Sequence, residues 1–173
     1  TARHIFTATA SFFILCAQAT AADRVVYKGD VGPGQGKHIL FIASDHEYRG
    51  EETCPSIARI MAKRYGFKCT VLFGQNEAGL IKPGSSLIPG IEEIEKADML
   101  FLFLRFVHPE DAWMEKFEGY LKRGGPVIGL RTTTHAFNGL KGKYAYHNYN
   151  GGDDDFVGGF GRQVLGETWN PGL

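Results

Sequence analysis

His38-Ile-Leu-Phe-Ile-Ala-Ser44 is a continuous apolar run closed by a small polar residue. It shows no alternation of apolar and polar positions, so neither face is built to meet water. A strand buried on both faces belongs to a parallel sheet covered on both sides. Upstream, Gly29-Asp-Val-Gly-Pro-Gly-Gln-Gly-Lys37 is a Gly/Pro-rich lead-in. Downstream, after a polar loop, Ile57, Ile60, Met61 and Tyr65 recur at helical spacing. Thr53 is expected as the N-cap of that helix, Pro55 in its first turn and Gly66 as its stop.

The pattern then repeats. Lys68-Cys-Thr-Val-Leu-Phe73 reads as a second strand and residues 74–90 as a Gly/Pro/Asn loop. Residues 91–97 form a short acidic helix, and Asp98-Met-Leu-Phe-Leu-Phe-Leu104 a third strand. Pro109 opens a helix with Trp113, Phe117, Tyr120 and Leu121 on one face, ended by Gly124-Gly125. Pro126-Val-Ile-Gly-Leu130 is the fourth strand, and 138–155 a long loop. Strands alternating with helices predict an α/β fold: a three-layer, doubly wound sandwich around a mainly parallel sheet.

Hydrophobic residues make up 43% of the 173-residue chain and charged residues 22%, the balance of one globular domain. Lys and Arg number 19, as do Asp and Glu. A neutral chain lacks the basic footprint of a nucleic-acid or anionic-membrane partner. Residues 1–22 read as a signal peptide: Arg3 and His4, a short apolar run over 5–17, and Ala19-Thr20-Ala21 as the cleavage site. The apolar run is too short to span a bilayer, so no membrane span is expected once the leader is removed. Export predicts a periplasmic or secreted protein. Residues 23–37 are then a lead-in segment and 38–173 the domain. Cys54 and Cys69 are expected as buried free thiols, with a disulfide between them as the alternative.

Ligands of such sheets bind beyond the carboxyl ends of the strands. Three loops leave those ends: Ser44-Asp45-His46-Glu47-Tyr48-Arg49, Arg105-Phe-Val-His108 and Arg131-Thr-Thr-Thr-His135. His46 and His135 are the candidate general acid and base, because imidazole titrates near neutral pH. Arg131 is placed to stabilise an anionic or oxyanion centre. Asp45, Glu47, Tyr48, Arg105, His108 and Trp169 are candidate ligand-binding residues, Glu47 orienting a histidine or binding hydroxyls. No cofactor is expected. A metal held by His46, Glu47, His108 and His135 is the secondary option, since these separations match no short metal motif. His147 lies just beyond these loops, and His38 reads as structural.

Gly129-Leu-Arg-Thr-Thr-Thr-His135, following an apolar strand, resembles the strand-turn-helix elbow of class I glutamine amidotransferases. Arg131 stands where those enzymes place a nucleophilic cysteine. A guanidinium cannot attack an amide, so cysteine-dependent glutaminase chemistry is excluded. Together with 37–52 and Gly158-Gly-Phe-Gly-Arg-Gln-Val-Leu-Gly-Glu-Thr-Trp169, the stretch is similar to the secreted bacterial members of the trehalose-utilisation (ThuA-like) family. That resemblance implies a glutamine amidotransferase-like, flavodoxin-like fold and a domain truncated at its C-terminus. It also implies a role in carbohydrate utilisation, by processing a small sugar ligand or by binding it without catalysis. Trp169, Tyr48, Tyr144, Tyr146 and Tyr149 are the residues suited to stack on sugar faces. Arg131, permanently charged, requires acceptors: Asp45, Glu47 or a bound anion.

Overall fold

The computed structural model describes residues 24–152 and 155–170, and the expected leader lies outside them. The elements run β1 (Arg24–Tyr27), β2 (His38–Ser44), α1 (Gly50–Tyr65), β3 (Lys68–Phe73), β4 (Met99–Leu104), α2 (Asp111–Lys122) and β5 (Val127–Gly129). Short 3-10 helices cover Ile91–Lys96, Arg131–His135 and Gly142–His147, and a π-helical turn covers Gly161–Leu165. The sheet order is β1-β3-β2-β4-β5. The four expected strands lie parallel in one sheet, with β2 in the middle, paired to β3 and β4. None of the helices among the described residues is long and apolar enough to cross a membrane.

The lead-in does more than expected, since Arg24–Tyr27 adds an antiparallel edge strand against β3. Its position is pinned by Arg24, which pairs with Glu92 at 2.8 Å and Glu93 at 3.1 Å.

Every residue of β2 is buried, as its unbroken apolar run requires. Successive side chains face opposite ways. Leu40 and Ile42 join a core with Trp113, Met114, Phe117 and Tyr120 of α2. Ile39, Phe41 and Ala43 join a second core with Cys54, Ala58 and Ala62 of α1. Here the expected helix face shifts. Ile57 and Met61 pack half-buried against this core, but Ile60 and Tyr65 are exposed, and the fully buried stripe is small. Small residues one turn apart let α1 close on a sheet face crowded with Phe41, Phe73, Phe101 and Phe103. Filling that stripe, for example with Leu at Ala58, would overpack it by about 1–3 kcal/mol.

The start of α1 also moves. Thr53 sits inside the helix, which begins at Gly50 after Arg49 in a left-handed conformation (φ 54°). Its end is as expected: Gly66 at φ 80° donates its N–H to Ala62 O at 3.0 Å, and Phe67 donates to Met61 O. That left-handed cap favours glycine.

Candidate functional site

The site is built where β2, β4 and β5 release their chains. Asp45, just past β2, is 1% exposed. Its Oδ1 accepts the Glu47 and Tyr48 N–H groups at 2.7 and 2.6 Å, and its Oδ2 accepts the Thr132 hydroxyl. A buried carboxylate is tolerable only with such donors. Past β4, Phe106 adopts φ 53°. Phe106 and Val107 donate their N–H groups to His135 O and Ala136 O at 3.1 and 2.7 Å, zipping this loop onto the one after β5.

Past β5, Leu130 is extended and Arg131 turns to φ 46°, opening the 3-10 helix. This is the sharp strand-to-helix turn expected at the elbow. Thr133, fully buried beneath it, lies within hydrogen-bond distance of the Leu102 and Leu130 carbonyls and accepts the Leu104 N–H.

Arg105 organises the charges. Its Nη2 meets Glu47 Oε1 at 3.1 Å and its Nη1 meets His46 Nε2 at 2.6 Å. A guanidinium has only donors, so His46 accepts through Nε2 and carries its proton on Nδ1. The other side of the His46 ring rests on Gly84, where an added Cβ would come 2.8 Å from Nδ1. Arg105 also lies 4.5 Å from the Phe106 ring centroid, and its Nε is buried without an acceptor.

His135 is buried and packs against Trp169 in a tilted pair, with ring centroids 4.8 Å apart at 35°. Phe106 approaches the same imidazole to 5.1 Å, and Tyr149 touches both Phe106 and Trp169. Thr168 anchors the Trp169 segment by donating to Tyr149 O at 3.0 Å. Burial pushes the His135 pKa down; Arg105 adds to this, while Glu47 and Asp45 oppose it. The imidazole is therefore neutral at pH 7 and able to accept a proton.

These groups surround an open cavity of about 390 Å³ whose walls include Glu47, Tyr48, Arg105, Arg131, His135 and Trp169. A larger hollow of about 580 Å³ runs along 75–87, but no imidazole or aromatic ring lines it. His135 and Trp169 line the smaller cavity.

The expected residues divide. Glu47, Tyr48, Arg105, Arg131, His135 and Trp169 line one cavity. Asp45 is held by its three donors and is not part of the lining, and His46, exposed and also outside the lining, contacts Arg105. His108 lines a different groove, beside Trp113, where its N–H donates to Ser86 at 2.9 Å. His147 and Tyr144 are buried in the α2-side packing, and Tyr146 donates to Glu118. Arg131 departs from expectation: among the described residues no carboxylate pairs with it, and its guanidinium lies 3.9 Å over the Tyr48 ring. The two acids expected to serve it are taken, Asp45 by its three donors and Glu47 by Arg105.

No group of three or more His, Cys, Asp and Glu residues placed to share a metal ion occurs among the described residues. Cys54 and Cys69 are free buried thiols. Sequence reading passed over Phe106, whose sign is only a left-handed backbone, and gave Thr132 and Thr134 no role although both line the cavity. Compared with protein-family models, curated proteins and solved structures, the chain has no significant match.

Proposed function

We propose that this chain is an exported ThuA-like domain, a three-layer doubly wound sandwich, that takes a sugar-related ligand into the cavity above β2, β4 and β5. The observation that carries this reading is the tilted Trp169–His135 ring pair standing in one cavity with the Arg105–Glu47 pair. An aromatic surface covers the apolar face of a pyranose, while charged and amide-like groups hold its hydroxyls. His135, neutral and beside the cavity, serves as the general base or acid if the ligand is turned over.

The non-catalytic alternative has its own support. Arg105 occupies the Nε2 lone pair of His46, which removes one of the two expected proton carriers. Trehalose and a panel of related mono- and disaccharides are incubated with the protein, following consumption by NMR and binding by thermal shift. Consumption that His135→Ala abolishes, with binding retained, makes the protein an enzyme. Stabilisation without consumption makes it a binding module. A panel with neither, or binding that Trp169→Ala leaves intact, removes the sugar reading.

A further inference from the structure

We infer that the ligand of this cavity is anionic, a sugar carrying a carboxylate or phosphate, and that Arg131 is the residue that receives the charge. The inference rests on the sugar reading above for the rest of the ligand.

The cavity wall is rich in guanidinium donors. Two guanidinium groups, Arg105 and Arg131, face it with one carboxylate, Glu47. That carboxylate is committed to Arg105 at 3.1 Å. Asp45, the nearest remaining acid in sequence, is turned onto the Glu47 and Tyr48 amides and the Thr132 hydroxyl and does not line the cavity. Arg131 is therefore the guanidinium of the wall with no carboxylate in direct contact among the described residues. His135 does not change the balance, since burial and Arg105 keep it neutral. Arg105 Nε is buried with no acceptor, and Arg131 is exposed, its guanidinium open to a ligand.

Arg131 is also held in place. Its backbone is fixed at φ 46°, a region non-glycine residues enter at some cost, and its guanidinium carbon lies 3.9 Å over the Tyr48 ring. Stacking on a ring occupies the guanidinium face and leaves its N–H edge free. That edge is the part that forms paired hydrogen bonds with a carboxylate or phosphate. A neutral sugar offers only hydroxyls, which cannot make the paired, charge-assisted bonds that a carboxylate or phosphate makes with that edge.

The test measures binding of glucose, glucuronate, glucose 6-phosphate and inorganic phosphate by calorimetry, to wild type, Arg131→Gln and Arg131→Lys. Expected is glucuronate or glucose 6-phosphate binding about tenfold more tightly than glucose, a preference lost in Arg131→Gln and partly kept in Arg131→Lys. Whether the carboxylate or the phosphate arm is tighter identifies the group. Glucose binding as tightly as both anionic sugars, or a preference that survives Arg131→Gln, overturns the inference and leaves the sugar reading standing. Inorganic phosphate binding through Arg131 while no sugar binds leaves the anion site and removes the sugar. Binding of none overturns both.

Discussion

Thr132 donates its hydroxyl hydrogen to Asp45, a residue 87 positions earlier, and this contact ties the loop after β2 to the turn after β5. Both partners are buried, and Asp45 uses its other oxygen to hold the Glu47 and Tyr48 amides. The cavity walls on either side are thereby fixed to each other through one carboxylate.

That arrangement makes the two residues energetically coupled. Thr132→Val leaves Asp45 Oδ2 without its donor, and should cost about 1–3 kcal/mol of stability. Asp45→Ala strands two backbone amides and the Thr132 hydroxyl, and should cost at least as much. In a double-mutant cycle read by urea unfolding, the second substitution should cost clearly less in the presence of the first. Simple additivity of the two would show that the contact carries no stability.

Arg105 holds the electrostatics of His135. Replacing it by Gln removes the second cause of the lowered His135 pKa, so the imidazole should titrate at higher pH than in wild type. Glu47→Gln should move it the opposite way, because Glu47 favours the charged ring. Two-dimensional NMR of the histidine ring protons reads both shifts. An unchanged His135 midpoint in Arg105→Gln would refute the assignment.

Burial pushes the Cys54 thiol up to about 12, with Glu51 adding to it, and the Cys69 thiol up to about 11. The thiolate is the reactive form, so both should be inert to a disulfide reagent in the native protein at pH 8 and should react on unfolding. Rapid labelling of either cysteine before unfolding would contradict their place in the α1-side core.

The parallel sheet was legible because β2, β3 and β4 each carry apolar residues without alternation, a pattern that sequence preserves strand by strand. β1 was not, since Arg24-Val-Val-Tyr27 is short, lies beside Gly/Pro-rich chain and gains its pairing from β3. The inward face of α1 was read in part: Ile57 and Met61 pack half-buried against the α1-side core, but the fully buried stripe is Cys54, Ala58 and Ala62, and Ile60 and Tyr65 are exposed. At the site, the rule that strands end at the crevice placed the three loops. It gave no sign of who would pair with whom. Asp45 holding Thr132 and Trp169 covering His135 are long-range contacts that no local pattern encodes.

His147 provides the pH test of the fold itself. Its ring is 2% exposed, both nitrogens lack a hydrogen-bond partner, and Phe117, Phe137, Phe156 and Tyr146 surround it. Glu118 Oε1 is 3.9 Å away and favours the charged ring; Lys122 disfavours it. Burial outweighs both and lowers the His147 pKa to about 4. In the unfolded chain the imidazole titrates near its usual 6.5. Between these values the unfolded state binds the proton and the folded state does not, so stability falls as pH drops from 6.5 to about 4 and falls no further from this group below that. From pH 7 to pH 4.5 the loss should be about 2 kcal/mol. His147→Leu removes the titration while keeping a side chain of similar bulk. Its urea midpoint should therefore drop less than that of wild type over the same range, and the stability difference should move in favour of the variant by about 2 kcal/mol. Parallel pH profiles for the two proteins would mean that His147 is hydrated or paired in solution and does not resist protonation.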